Sequence, residues 1–120
     1  MRQIVITVGN RTFAATLQDT PPARAFAALL PLSIGMTELN GNEKFFTLPS
    51  ALPTQEAVPR AIQAGDLMLY GSSTLVLFYE SVSTTYSYTP LGRVDNPAGL
   101  KAALGTGNVT VAFDVQRQRR

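Results

Sequence analysis

The chemistry this chain can offer rests on its carboxylates and two lysines. The carboxylates are Asp19, Glu38, Glu43, Glu56, Asp66, Glu80, Asp95 and Asp114, and the lysines are Lys44 and Lys101. There is no histidine, so the usual near-neutral general base, the Ser-His-Asp and Cys-His arrangements and the commonest metal ligand are excluded. There is no cysteine, which excludes disulfides, thiolate metal sites and thiol nucleophiles. No pair of carboxylates is spaced as a recognisable acid–base signature, and no metal site or cofactor motif is expected. Gly71-Ser72-Ser73 lacks the lysine and the glycine spacing of a phosphate loop and reads as a hairpin connection.

Three carboxylates read as structural. Asp19 is expected to cap a helix, Asp66 to sit in a turn after Gly65, and Asp95-Asn96 to cap a second helix. Glu38 and Glu43-Lys44 are the exceptions. Glu38 shares strand phase with Leu32, Ile34 and Met36, so it points to the face those apolar residues occupy. There it either ends the strand in water, the simpler expectation, or has a cationic partner, for which Arg24, Arg93 and Lys44 are candidates. Asn40, Glu43 and Lys44 form a polar rim beside an aromatic wall of Phe45 or Phe46, Tyr70 and Phe78. Apolar walls with a few convergent polar groups make a ligand site. The expected site residues are therefore Glu38, Asn40, Glu43, Lys44, Phe46, Tyr70 and Phe78. The same composition also fits an ordinary barrel end, and core packing is the default for the aromatics.

The elements that must position these residues are mostly strands. Alternation over Ile4–Val8, the turn Gly9-Asn10, and Thr12–Leu17 make a hairpin. Asp19 or Thr20 followed by Pro21-Pro22 opens a helix of about ten residues, with Phe26, Leu29 and Leu30 on its buried face and Pro31 as its stop. Arg24 lies on the opposite side of it. Strands follow over Leu32–Leu39 and Glu43–Leu48, joined by the turn Asn40-Gly41-Asn42. The stretch 49–59, with three prolines, is a surface loop. Leu67–Tyr70 and Thr74–Tyr79 are strands, and the second, apolar on both faces, must be covered on both sides. Residues 81–87 read as a polar Ser/Thr loop in which Tyr86 and its neighbour Tyr88 could form a lid, though a solvent loop is the simpler expectation. Thr89–Val94 is a short strand or bulge. A second helix opens at Asn96-Pro97, buries Leu100, Ala103 and Leu104 and ends at Gly105. Asn108–Val115 closes the chain as a strand. About eight strands and two short helices predict a mainly β domain, a closed barrel or a sandwich, over residues 1–116.

The net charge of +2 over 120 residues comes from Arg117, Arg119 and Arg120; without them acids outnumber bases by one. A basic tail over 117–120 is expected to be solvated, with no nucleic-acid surface. No apolar run reaches the length a bilayer requires, and no leader precedes the first strand, so a cytoplasmic protein without membrane partners is expected.

The order and spacing of several motifs resemble the small bacterial cyclophilin-like domain family of uncharacterised function. They are Thr20-Pro21-Pro22-Ala23-Arg24-Ala25-Phe26, Leu29-Leu30-Pro31, Asn40-Gly41-Asn42-Glu43-Lys44, Gly65–Tyr70, Leu77-Phe78-Tyr79 and Leu91-Gly92-Arg93-Val94. The resemblance covers about residues 3–115 and implies a closed eight-stranded barrel with helices capping its ends. Cyclophilins proper are peptidyl-prolyl isomerases whose active face includes a histidine, a tryptophan and a Phe-Met-x-Gln motif. This chain has neither residue, and Glu43–Thr47 occupies the roughly corresponding strand. Leu77-Phe78-Tyr79 resembles the cyclophilin strand that carries an active-site phenylalanine. The expectation is a non-catalytic module for a peptide or small ligand, monomeric or weakly self-associating. The alternatives are a degenerate isomerase and a carboxylate-dependent enzyme using Glu38 or Glu43 with Lys44.

Overall fold

The computed structural model describes residues 1–117; beyond Arg117 the expected basic tail lies outside the described residues. Eight antiparallel strands close into a barrel. In chain order these are β1 (Arg2–Val8), β2 (Arg11–Leu17), β3 (Leu32–Leu39), β4 (Glu43–Thr47), β6 (Asp66–Tyr70), β7 (Thr74–Phe78), β9 (Thr89–Val94) and β10 (Val109–Val115), ordered β1-β10-β3-β4-β7-β6-β9-β2 around the wall. Two further strands, β5 (Ala61–Ile62) and β8 (Val82–Ser83), pair outside the barrel. The helices are α1 (Pro21–Ala27) and α2 (Leu100–Leu104). Closure leaves no wall strand with an unpaired edge, which suits a chain rich in apolar strands.

Strand alternation sorts the side chains into two populations. Ile4, Ile6, Met36, Leu67, Leu69, Leu75, Leu77 and Phe113 fill the interior and are essentially inaccessible to solvent. Phe26 of α1 joins them edge-on to Phe113, ring centroids 5.7 Å apart. Leu100 and Leu104 of α2 also enter this core. A second, smaller cluster of Ile62, Met68, Val76, Phe78 and Tyr88 lies on the opposite face of β6 and β7. This is why β7 reads as apolar on both faces: β5, β8 and the segment up to Tyr88 cover its outer side.

Several local expectations are corrected. Helix α1 has seven residues, not ten. After Ala27 the backbone tightens, with Leu29 N–H donating to Phe26 O and Leu30 N–H to Ala27 O, three-residue bonds that pull Leu29 out of the helical phase and leave it exposed. Thr20 rather than Asp19 caps the helix, its Oγ1 accepting from Ala23 N–H at 3.3 Å, while Asp19 pairs with Arg24 at 2.6 Å. Asp66 does close the turn at Gly65, its N–H donating to Gln63 O at 3.1 Å, but it does more than that. It is buried, accepts from Gln63 N–H and binds Arg93 at 2.8 Å. Helix α2 starts three residues later than Asn96-Pro97 predicts and has no side-chain cap. Asn96 instead closes an Asx turn on Ala98 N–H, and Asp95 accepts from the Thr16 hydroxyl at 2.7 Å. The polar loop over 81–87 contains β8. Thr89–Val94 is both strand and bulge site, since the β6–β9 register shifts between Leu67 and Met68, which accommodates Pro90, a residue without an N–H to donate.

No helix among the described residues is long and apolar enough to cross a membrane.

Candidate functional site

The turn after β3 sets the geometry of the charged residues. Asn40 and Gly41 both take positive φ, 60° and 69°, the conformation for which an Asn-Gly pair is suited. It brings Glu38 opposite Lys44 in the β3–β4 register. Both side chains point into the barrel end. Lys44 is fully buried and donates three hydrogen bonds, to Glu38 Oε1 at 2.9 Å, Gly105 O at 2.9 Å and Gly107 O at 2.5 Å. Its Nζ lies 5.4 Å from the centre of the Tyr79 ring, whose hydroxyl donates to the same Glu38 oxygen at 2.8 Å. Burial pushes the Glu38 carboxyl up. The bonds from Lys44, Tyr79 and Gly41 N–H outweigh it and hold the group below its ordinary range. Burial, with the Glu38 charge beside it, pushes the Tyr79 phenol up to about 12. Every proton of the Lys44 ammonium is engaged and no face of it is open. The cluster ties the α2–β10 connection to the barrel wall; it is not placed to attack a substrate.

Glu43 and Phe45, one residue either side of Lys44, point outward. They open onto a groove of about 290 Å³ over the outer face of β4, β7 and β6. Phe45, Val76 and Phe78 belong to its wall, and the segment from Val82 to Tyr88 overhangs it. Four rings run in contact: Phe78 to Tyr88 at 5.7 Å, Tyr88 to Tyr70 at 5.5 Å, and Tyr70 to Tyr86 at 6.1 Å between centroids. None is stacked face to face, so each meets its neighbour edge-on or tilted, the arrangement favoured by the ring quadrupoles. Tyr70 and Tyr86 are exposed.

The polar end of the groove is formed by Asn40, Asn42 and Glu43. Glu43 is only 8% exposed and has no salt-bridge partner among the described residues. Burial, and secondarily the negative charge of Glu38, pushes its carboxyl above the ordinary value. Asn42 Oδ1 is buried without a hydrogen-bond partner among the described residues. The Tyr88 phenol is raised by burial and by the Glu43 charge. Larger depressions elsewhere differ in kind. The one beside Asp66, about 630 Å³, has its carboxylates engaged with Arg93 and Thr16. No cluster of three or more metal-ligating side chains occurs among the described residues.

Of the expected site residues, Asn40, Glu43, Tyr70 and Phe78 meet in this groove. Glu38 and Lys44 pair elsewhere, on the interior side of the same wall, and Phe46 packs against the interior core on that side. The division follows from strand parity, since consecutive residues such as Glu43 and Lys44 cannot share a face. Parity also makes Phe45, not Phe46, the ring beside Glu43. Sequence reasoning passed over Asn42, Val76 and Val82, and preferred a solvent loop for the segment carrying Tyr86 and Tyr88. The spacing of those two tyrosines by two residues, one strand repeat, was the available signal.

The family model for the cyclophilin-like family matches residues 6–114. No curated protein matches the chain. Among solved structures, the solution structure of a hypothetical protein from Archaeoglobus fulgidus is similar over 96% of this chain and 95% of that one, with a TM-score of 0.72 and 17% identity. That likeness concerns the fold alone. The barrel with its two end-capping helices, together with the match over nearly its whole length, makes this chain a member of the cyclophilin-like family.

Proposed function

We propose that the protein is a non-catalytic binding module whose ligand, a small molecule or a short peptide segment, occupies the outer groove between β4, β7 and the Val82–Tyr88 overhang. The observation that carries this reading is the run of four aromatic rings ending beside a carboxyl that has no partner. Aromatic walls provide binding area, and unpaired polar groups at one end provide orientation. A fold maintained only for its own stability gains nothing from a largely buried carboxyl without a partner, because its ionised form keeps only part of its hydration. Lys44, which a carboxylate-dependent enzyme would need beside Glu43, lies on the other side of the wall, and this argues against that mechanism.

The test is an amide-resolved NMR titration with short Xaa-Pro peptides and small aliphatic fragments. Binding is expected to move the amides of Glu43, Phe45, Phe78 and Tyr88 together. Shifts confined to another face, or none at all, overturn the reading. Exchange spectroscopy on the same peptides addresses the degenerate-isomerase alternative, which Phe78 in the groove wall keeps open. Accelerated cis–trans exchange, lost on substitution of Tyr86, would replace binding with catalysis.

A further inference from the structure

The groove's chemistry specifies its ligand more closely, and the inference rests on the binding role just proposed. Among the described residues its lining includes one carboxylate, Glu43, and no lysine or arginine. The basic group nearest in sequence, Lys44, faces the barrel interior and is saturated by its three acceptors. A neutral apolar ligand would displace the water that still reaches the Glu43 carboxylate and leave it unpaired, and an anion would be repelled by it. A cation would gain the carboxylate as counter-ion and, beyond it, the rings of Tyr88, Tyr70 and Tyr86, whose electron-rich faces attract positive charge. Aromatic rings attract cations within about 6 Å of their centres, and several rings around one site form a cage for ammonium groups. Asn42, at the same end, holds its Oδ1 buried and without a donor among the described residues.

We propose that the groove binds a free small alkylammonium ion, its charged nitrogen against Glu43 and its alkyl part along Phe45, Val76 and the tyrosines. A volume of about 290 Å³ sits at the lower end of small-molecule sites and suits a compact amine better than an extended chain. The titratable groups that feel the Glu43 charge are Glu38 and Tyr79 on the interior side of the wall and Tyr88 in the overhang; Tyr70 and Tyr86 line the same groove, and β7 presents no ionisable side chain to it. Because burial raises the Glu43 carboxyl, cation binding and proton binding compete there, and affinity rises with pH through its titration.

The experiment is an NMR titration of the full chain at pH 7 with three probes of similar size: butylammonium, 1-butanol and butyrate. Butylammonium is expected to shift the groove amides at a Kd about tenfold or more below that of 1-butanol, a difference of about 1.4 kcal/mol, with no response to butyrate. Glu43→Gln, close in shape and relieved of the buried charge, is expected to keep the wild-type spectrum elsewhere, to bind the amine and the alcohol alike, and to lose the pH dependence. Equal binding of amine and alcohol by the wild type overturns the cation assignment while leaving the groove a ligand site. No groove shift from any probe overturns both. Tighter binding of a lysine-bearing tripeptide than of butylammonium overturns the free-amine assignment in favour of a peptide side chain.

Discussion

Replacing Lys44 by methionine keeps most of the side-chain volume and removes the ammonium from the barrel end. Lys44 is completely buried, and its three hydrogen bonds go to Glu38, Gly105 and Gly107. Removing one partner of a fully buried ion pair costs about 3–5 kcal/mol. Two features reduce that here. The Glu38 side chain is 25% exposed and keeps donors from the Tyr79 hydroxyl and Gly41 N–H. Gly105 and Gly107 are exposed residues whose carbonyls can turn to water. The expected loss is therefore about 2–4 kcal/mol, a large share of the about 5–15 kcal/mol that stabilises a domain. With an m-value of about 2 kcal/mol per M in urea, the midpoint falls by about 1–2 M at unchanged m. Adding Glu38→Gln removes the orphaned charge and is expected to recover part of the loss, because the amide oxygen still accepts from Gly41 N–H while its NH2 donates to the Tyr79 hydroxyl oxygen. Equilibrium urea unfolding followed by tyrosine fluorescence and circular dichroism reads both variants. A loss under about 1 kcal/mol, or a double variant no better than Lys44→Met alone, would refute the assignment of Lys44 and Glu38 as a coupled pair.

Four further outcomes are expected. Glu38 is held below its ordinary value of 4.5, so it contributes stability above that pH which is lost as pH falls through its lower folded value; acid unfolding should shift to higher pH in the Lys44→Met protein, where that depression is weakened. Glu43 has the opposite sign. Its raised carboxyl contributes stability below pH 4.5 that is lost as pH rises through the folded value, so Glu43→Gln should raise Tm at pH 7, with the difference vanishing near pH 4 in thermal scans. Phe78→Ala, at a fully buried position, should cost about 3–5 kcal/mol in urea unfolding, whereas Tyr86→Ala, on a 63% exposed ring, should stay within about 0.5 kcal/mol. Gly92→Ala drives its Cβ into the Thr16 carbonyl and the Leu17 Cα of β2, a backbone clash that no rotamer relieves; a soluble yield and Tm equal to wild type would show that β2 and β9 can separate there.

Much of the barrel is legible in the sequence. Period-two alternation over Ile4–Val8, Leu32–Glu38 and Val109–Val115 assigns the inward faces, and Asn40-Gly41 marks a tight turn, because these signals are local. The two-sided apolar run Leu75–Phe78 announces that something covers its outer face. The chemistry excluded by the absence of histidine and cysteine also needs no structure. Parity even separates Glu43 from Lys44 and Phe45 from Phe46, since adjacent strand residues face opposite ways.

The identity of each partner is another matter. Alternation places Glu38 inward but cannot say that Lys44 lies opposite it, that Tyr79 reaches the same oxygen, or that the carbonyls of Gly105 and Gly107 complete the ammonium's shell. Those contacts join β3, β4, the segment after β7 and the α2–β10 connection, and they exist only once the wall has closed. The roof over the groove depends likewise on β5 and β8, two-residue strands too short to carry a period. Their pairing, and the Ala57–Tyr88 bridge beside it, turn a polar loop into the overhang that brings Tyr86 and Tyr88 against Tyr70. Composition and alternation determine which side of a strand each residue takes; only chain closure over long sequence separations decides which of them meet, because loop entropy and packing of the whole barrel are settled together.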